Sequence, residues 1–162
     1  MMTEPKPTTG ARALLFERLT DSEPASQSER RPFRIHDLDA LSESVRRELA
    51  RLLNTRCPCP ERLRENAERT VLEYGIPDFS SLSAASEADR SRLAGMIEQA
   101  LSAYEPRLRQ IHAAFQPGLL NPAVLHGRIE AVLVAGMVNA PISFPILVQA
   151  RNGVMEVIGL GE

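Results

Sequence analysis

The sequence has no tryptophan, and aromatic residues make up only 4 % of its 162 positions. Aromatic rings line sugar-binding clefts and stack on unpaired bases, so their scarcity argues against both kinds of site. An excess of one charge is also missing, because 19 basic residues are balanced by 21 acidic ones. With a net charge of −2, nucleic acid and anionic membrane surfaces are poor candidates for partners.

Motifs of the common catalytic and cofactor sites are absent as well. The chain has no G-x-x-x-x-G-K-[ST], no G-x-G-x-x-G and no G-x-S-x-G. Cys57 and Cys59 lie one residue apart in a proline-rich loop and cannot complete a tetrahedral zinc site, and His36, His112 and His126 are not spaced as ligands. We therefore expect no metal, no cofactor and two surface thiols in a reducing compartment.

A signal peptide is not recognisable, because the first ten residues, MMTEPKPTTG, lack an apolar core. This predicts a cytoplasmic protein. One charge-free run, residues 131–150, has the length to span a bilayer. Pro141 and Pro145 interrupt it, and the sequence NAP within it is a turn signal, so we interpret the run as two buried strands.

The chain is expected to contain a flexible N-terminal arm, residues 1–32, and a single α+β domain, residues 33–162. The arm includes a short amphipathic segment, ARALLFERL, in which Leu14, Leu15 and Leu19 can share one face. A polar linker of the composition typical of disordered chains follows it. The segment is either a loose terminus or a docking arm that covers its leucines against another surface.

Helical periodicity predicts three helices before the strands. The first runs from about Asp37 to Thr55, and the second lies within ERLRENAERTVLEYG, with Gly75 as its left-handed terminal residue. The third begins at Ser86, in a capping-box sequence, and continues to Tyr104. Their apolar positions are Leu38, Leu41, Val45, Leu49, Leu52 and Leu53, then Leu63, Ala67, Val71 and Leu72, then Leu93, Met96, Ile97, Ala100, Leu101 and Tyr104.

After Pro106 the apolar period changes from 3.6 to 2, which predicts strands. The first alternates from Leu108 to Phe115, and the second and third cover residues 125–137 and 142–148. The sequence RNG then predicts a two-residue hairpin turn into a fourth strand, VMEVIG. The predicted fold class is α+β, with N-terminal helices covering one face of an antiparallel sheet of about four strands.

The stretch YEPRL, residues 104–108, offers the most conspicuous acid of the chain. Glycoside cleavage needs two carboxylates, one of them protonated, yet Arg107 favours the charged form of Glu105 and no second acid is marked. Pro106 disfavours helical backbone at Glu105, so the chain must turn there. Glu105 and Arg107 then form either an internal ion pair that braces the corner or a polar docking point for another subunit.

Four segments in this order, LLFERL, ELARLLNTR, VLEYGIPDFSSLS and YEPRL, resemble the baseplate wedge family of contractile injection machines, and most closely its type VI secretion members. Two positions depart from the family pattern: Arg51 stands where a tryptophan is expected, and Tyr104 replaces a commoner phenylalanine. The sequence CPCP has no counterpart in the family. The arginine implies a more polar surface at that point.

The resemblance implies a structural subunit without enzymatic activity, docked at the inner membrane through the baseplate. It implies assembly with the wedge subunits TssF, TssG and TssK around the hub spike VgrG, and a role in starting the TssB/TssC sheath through an exposed strand edge. A cell-wall glycoside hydrolase using Glu105, and a general protein-interaction adaptor, remain the alternatives. The residues expected to bind partners are Asn54, Thr55, Arg56, Tyr74, Gly75, Pro77, Asp78, Glu105, Pro106, Arg107 and Leu108.

Overall fold

The computed structural model describes residues 10–19, 35–58, 70–118, 124–149 and 153–159. Two long helices precede a four-stranded antiparallel sheet, so the predicted α+β class is confirmed. A small two-stranded sheet and two short helical segments lie among the N-terminal elements. The elements are β1 (Ala11–Arg12), α1 (Leu15–Leu19), β2 (Ile35–His36), α2 (Leu38–Asn54), a 3₁₀ turn (Val71–Glu73), α3 (Glu87–Tyr104), β3 (Leu108–Pro117), β4 (Val124–Ala135), β5 (Val138–Gln149) and β6 (Met155–Val157).

Helix α2 matches its prediction to within one residue at each end. The Asp37 carboxylate accepts the Ala40 N–H at 3.0 Å and caps the helix, and the Thr55 N–H donates to the Leu52 carbonyl at its end. The buried face carries the predicted apolar stripe, except that Leu38 is exposed. It also carries one polar residue, Ser44, which is fully buried.

Helix α3 begins where the sequence predicts, because Ser86 Oγ accepts the Asp89 N–H at 3.2 Å. It ends at Tyr104, which is half-buried, whereas its five other predicted apolar residues are all buried. The two helices pack on one face of the sheet, so the predicted arrangement of helices over a meander is confirmed.

The predicted second helix is wrong for the part that the structure describes. Val71–Glu73 forms a single 3₁₀ turn, closed by reciprocal hydrogen bonds between Thr70 and Glu73. Val71 and Leu72 are 83 % and 75 % exposed, so they do not form an apolar helix face. The chain leaves helical geometry at Tyr74, whose ψ is 133°, and Gly75, at φ +108°, then turns it towards α2. Leu63 and Ala67 lie outside the described residues.

The sheet has the strand order β3-β4-β5-β6, with antiparallel neighbours throughout. Alternation places one side of each strand in the core, as predicted for the second and third strands. The connection before β6 is longer than the expected two-residue turn, because the closing hydrogen bond runs from the Gln149 N–H to the Val154 carbonyl. Residues 150–152 lie outside the described ranges.

The turn between β4 and β5 is not at the predicted NAP sequence. Ala135 pairs with Val138, so Gly136 and Met137 form a two-residue turn, and Gly136 supplies the required positive φ of +58°. Pro141, in the NAP sequence, lies within the part of β5 that does not pair with β6. The run 131–150 is therefore strand as far as it is described, and no helix in the described ranges is long and apolar enough to cross a membrane.

Strand β3 departs from strict alternation near its start. The register shifts between Arg109 and His112, and Gln110 has a φ of +52°. Such a bulge inserts one extra residue into the strand, so the side chains before it lie on the opposite face of the sheet from the one that regular alternation gives. Leu108 and Ala113 are consequently both buried, although regular alternation predicts that they face opposite sides.

The N-terminal segment, residues 10–19, lies against its own domain. Its strand β1 pairs with β2, and Ala11 and Ala13 are buried. Leu15 and Leu19, two of the three leucines expected to share one face, are 68 % and 74 % exposed, so the described part of the domain does not cover them. The docking arm and the loose terminus both stay predictions. Residues 1–9 and 20–34 are outside the described ranges, so the domain boundary after residue 32 stays a prediction.

Cys57 corrects another expectation, since its side chain is buried rather than on the surface. Arg56 forms a parallel bridge with Ile76, and the Cys57 N–H donates to the Ile76 carbonyl at 2.9 Å. These bonds draw the start of the proline-rich loop into the core. Cys59 lies outside the described residues.

Candidate protein-binding site

The corner between α3 and β3, residues 105–108, is held by an ion pair between its two charged side chains. Arg107 donates from Nε to Glu105 Oε1 at 2.7 Å and from Nη2 to Oε2 at 2.6 Å. The residue Glu105 is 5 % exposed, and the Arg107 side chain is 12 % exposed. The prediction that the two residues lie side by side is confirmed. Because both carboxylate oxygens are engaged, the pair has one fixed orientation.

Pro106 accounts for the turn at this corner. Glu105 leaves helical geometry at φ −119° and ψ 83°, yet its N–H still donates to the Leu101 carbonyl at 2.9 Å. The Leu108 N–H then donates back to the Glu105 carbonyl at 3.1 Å, which closes the turn. Pro106 is exposed at its outer side, whereas Leu108 is buried beneath it.

A serine on α2 completes the corner from the other side. Arg107 Nη1 donates to Ser44 Oγ at 2.8 Å. One turn further along α2, Arg47 forms an ion pair with Glu17 of α1. Glu17 in turn accepts from Arg47 Nη2 at 2.6 Å and from the Leu14 N–H at 3.3 Å. Ser44 and Arg47 thus connect α2 to the α3–β3 corner and to α1, respectively.

The environment of Glu17 favours its charged form. Burial raises the pKa of Glu17, but hydrogen bonds from Arg47, Ser44 and the Leu14 N–H, together with the Arg47 charge, outweigh burial. The net result is a pKa below the ordinary value of 4.5. At neutral pH the carboxylate is therefore negative and accepts from Arg47 and from the Leu14 N–H.

The exit of α2, residues 54–56, fastens the helix to the last strand. Asn54 Nδ2 donates to the Met155 carbonyl at 2.8 Å, and Asn54 Oδ1 accepts the Met155 N–H at 3.0 Å. The amide side chain thereby occupies main-chain groups of β6 that a further strand would use. Thr55 Oγ1 donates to the Arg51 carbonyl at 2.7 Å.

Arg56 holds the loop before β6 against α2. Its Nη1 donates to the Leu53 carbonyl at 3.0 Å, and its Nη2 donates to the Gly153 carbonyl. The guanidinium lies 4.5 Å from the centre of the Phe79 ring, a cation–π contact. Burial lowers the pKa of Arg56, and the charge of Asp78 partly offsets this.

The loop of residues 74–78 joins the α2 exit to the corner. A Cβ at Gly75 would lie 2.4 Å from the Thr55 carbonyl oxygen, so only glycine fits at this approach. The Tyr74 ring packs edge-on against Tyr104, at 5.2 Å between centroids, directly before Glu105. The structure therefore brings the three predicted segments into one continuous region.

The residues predicted to bind partners differ in how exposed they are. A partner can reach the exposed ones, whereas the buried ones can act only by holding their neighbours. The exposed ones are Asn54, Arg56, Asp78 and Pro106; Thr55, Tyr74 and Arg107 are half-buried; Gly75, Pro77, Glu105 and Leu108 are buried.

A second candidate surface is the edge of β5. Strand β6 pairs only with Ile146–Val148, so within the described ranges no strand pairs with that edge of β5 from Val138 to Phe144. Beside Phe144 lies a groove of about 210 Å³. It is also lined by Asp39, Ser42, Glu43 and Arg46 of α2. An unpaired edge beside a groove is a geometry that can accept an added strand.

Comparison with known protein families identifies the chain. The family model described as baseplate wedge protein gp25 matches residues 39–137, which is more than half of the sequence. The chain belongs to the baseplate wedge protein gp25 family. A chain from the solved baseplate complex of the type VI secretion system matches this wedge protein at 20 % identity, covering 67 % of it and 94 % of that chain, with a TM-score of 0.46. No curated protein matches the wedge protein.

Sequence reasoning for this wedge protein missed Ser44, which the structure places at the site, and Glu17, which pairs with Arg47 one turn further along α2. Ser44 lies between Leu41 and Val45 on the apolar face of α2, and a polar residue inside an apolar stripe was the available signal. Glu17 had no such signal. Its contacts cross to residues about thirty positions away, such as Arg47, and depend on how the N-terminal segment folds back.

Proposed function

We propose that this wedge protein is the TssE-type structural subunit of a type VI secretion baseplate. The observation that carries the proposal is the family match over residues 39–137, which includes the α2 exit, the 74–78 loop and the α3–β3 corner. The contacts of Gly75 with Thr55, and of Tyr74 with Tyr104, make these segments one rigid unit. The type VI assignment is supported by the four sequence segments that resemble that branch of the family.

The proposed partners are the wedge subunits TssF, TssG and TssK, which would contact the region around the corner. A buried ion pair there is a suitable anchor, because its geometry is fixed before a partner arrives. Pro106 and the partly exposed Arg107 offer the contact surface, and the buried Glu105 holds Arg107 in place. The hub spike VgrG completes the proposed assembly, which would be cytoplasmic and held at the inner membrane through the baseplate.

The proposed contact with the TssB/TssC sheath is the unpaired edge of β5. Among the residues that the structure describes, no strand pairs with the main-chain groups on this edge from Val138 to Phe144. Pro141 lacks an N–H there, which limits pairing to the remaining donors. The opposite edge of the sheet is less suitable. On β3 the outward N–H of Ala113 is already bonded to Glu98 Oε1 at 2.8 Å, and the bulge distorts the strand.

A catalytic role for Glu105 is disfavoured by its surroundings. A general acid must hold a proton and approach a substrate, whereas both oxygens of this carboxylate accept hydrogen bonds from Arg107 in a nearly closed corner. We therefore propose that the protein is not a glycoside hydrolase. Turnover of peptidoglycan by the purified wild-type protein, abolished by Glu105→Gln, would contradict this.

Sheath assembly in cells tests the proposed function. In a strain without this gene, a fluorescent sheath subunit is expected to remain diffuse, and the wild-type gene is expected to restore dynamic sheaths. A gene carrying Glu105→Ala and Arg107→Ala should fail to restore them at equal protein level. Sheath assembly at the normal frequency in the strain without the gene would show that the proposal is wrong.

A further inference from the structure

The groove beside β5 lies between the sheet and the first half of α2. Asp39, Ser42, Glu43 and Arg46 recur at spacings of three and four, so they share one face of the helix and form one wall of the groove. Phe144 of β5 lines it from the sheet, and its volume is about 210 Å³. The groove therefore has room for one long side chain.

Gly159 leaves this space open. The two end residues of β6 are buried and its middle residue is exposed, and the Ile158 N–H continues the pairing by donating to the Pro145 carbonyl at 2.9 Å. The same alternation directs residue 159 towards the helices. Among the described residues, a Cβ at Gly159 would have one neighbour within 4 Å, Arg46 Cδ at 3.9 Å. Its φ is not positive, so the backbone does not require glycine at this position.

The outer edge of β5 runs past the same groove. Pro145 turns its carbonyl to the β6 side, so the residues of the same alternation, Asn139, Pro141 and Ser143, also direct their main-chain groups away from β4. Within the described ranges no strand pairs with these groups. The side chains of a strand added here would alternate between the two faces of the sheet. One on the helix face would lie within reach of the groove beside Phe144.

The groove carries one net negative charge, because two carboxylates and one guanidinium line it. Arg46 donates to the two Glu43 carboxylate oxygens, at 2.7 Å each, and to the Val157 carbonyl at 3.2 Å, so the Glu43 and Arg46 charges balance each other. Asp39 is exposed, and none of the residues that the structure describes gives its carboxylate a hydrogen bond or an ion pair. A positively charged side chain complements this wall.

We propose that the groove receives one lysine or arginine side chain of the strand that the sheath adds to β5. This inference rests on the proposed sheath contact and names the residue type that the contact selects. The aliphatic part of the side chain packs against Phe144 in the space that Gly159 leaves, and its cationic end meets Asp39 and Glu43. An acidic side chain at this point would face two carboxylates and be rejected.

Two variants test the groove by its volume and by its charge. Gly159→Leu fills the space, and Asp39→Lys reverses the charge of the exposed carboxylate. The control Gly159→Ala adds a single Cβ and leaves most of the groove empty. The control Glu87→Lys makes the same change of charge in the first turn of α3, where Glu87 is also exposed. Binding of a purified TssB–TssC complex is measured for each protein, and circular dichroism and thermal unfolding verify the fold.

The two groove variants should each weaken binding of TssB–TssC at least about tenfold, Gly159→Leu by excluding the side chain and Asp39→Lys by opposing like charges. Gly159→Leu should keep or raise the unfolding temperature, because the backbone there tolerates a side chain and the space is open. Both controls should stay within about twofold of wild type. Asp39→Asn, which removes the charge at equal size, should bind with less dependence on salt than wild type, and it replaces Asp39→Lys if that variant does not fold.

Wild-type binding by folded Gly159→Leu would show that no side chain enters the groove. Wild-type or stronger binding by Asp39→Lys would show that the side chain is not basic. Either result overturns the inference. Two other occupants would also overturn it: a second copy of the chain, shown by a wild-type dimer that Asp39→Lys dissociates, or the chain itself, shown by faster hydrogen exchange in residues 20–34 or 160–162 of isolated Asp39→Lys.

Ser143→Pro separates this inference from the proposed sheath contact. The variant removes the outward N–H of Ser143 and leaves the pairing with β4 intact, as Pro141 and Pro145 do. Weaker binding by Ser143→Pro together with wild-type binding by the groove variants would overturn the inference alone. Wild-type binding by Ser143→Pro, or no binding by the wild-type protein, would show that the proposed sheath contact is wrong, and the inference falls with it.

Discussion

Arg107 holds both carboxylate oxygens of Glu105, at 2.7 and 2.6 Å, across the single proline that separates the two residues. When one partner of a bidentate pair with so little exposure is removed, the protein loses the most stability, because the other charge is left buried and unpaired. The same pair orders the turn from the last residue of α3 to the first of β3.

The losses of stability caused by the two single substitutions of this pair should add up to more than the loss in the double variant. Glu105→Ala and Arg107→Ala should each lower the free energy of unfolding by about 3 kcal/mol. The double variant should lose clearly less than the sum, since it leaves no unpaired charge. Urea unfolding of all four proteins measures this, and strict additivity would show that the pair is not coupled.

Gly75 provides a test of the approach between the 74–78 loop and α2. Gly75→Ala should destabilise the protein by about 1–3 kcal/mol, because φ is +108° and the new Cβ would meet the Thr55 carbonyl oxygen. Gly95→Ala is the control. It lies in α3 with nothing within 4 Å of the added Cβ, so a gain of about 0.5–1 kcal/mol is expected. Thermal unfolding compares them, and equal effects would contradict the geometry.

The side chain of Asn54 should be required for order in β6. Asn54→Ala removes the hydrogen bonds to the N–H and carbonyl of Met155 and should cost about 1–3 kcal/mol. Asn54→Asp keeps the acceptor for the Met155 N–H but loses the donor to its carbonyl, so protection of that amide should fall less. Hydrogen exchange at Met155 reads both variants. Protection that is the same in Asn54→Ala and wild type would refute the role.

The contribution of Glu17 should depend on pH in one direction. Because its folded-state pKa is below 4.5, the contacts of Glu17 stabilise the protein above that value and are lost as the pH falls through the folded-state pKa. The stability difference between wild type and Glu17→Gln should thus be largest near neutral pH and shrink below pH 4.5. Unfolding at pH 7 and at acid pH measures it, and a difference that grows on acidification would be inconsistent with this pairing.

Helices α2 and α3 were predictable because their signals are local. Asp37 and Ser86 cap α2 and α3 through contacts within one turn, and the apolar positions recur at helical spacing. Strands β4 and β5 were predictable for the same reason, by alternation. The β4–β5 turn was misplaced because NAP looked like a stronger signal than Gly136, whose positive φ satisfies the two-residue turn.

The site was only partly predictable, because its decisive contacts join distant segments. Pro106 shows in the sequence that Glu105 and Arg107 lie together, but not that Ser44 completes the pair from another helix. Alternation could not reveal the bulge at Gln110, since one inserted residue leaves the apolar pattern on either side intact. Cys57 seemed exposed because its burial depends on the bridge between Arg56 and Ile76.

Recovery of wedge subunits by this chain tests the proposed function most directly. Wild type, the Glu105→Ala/Arg107→Ala variant and the control Arg109→Ala, an exposed residue on β3, are each used to capture TssF and TssG at equal folded concentration. The proposal predicts strong recovery by wild type and by the control, and at least about tenfold less by the double variant. Equal recovery by all three proteins, with the double variant folded, would contradict it.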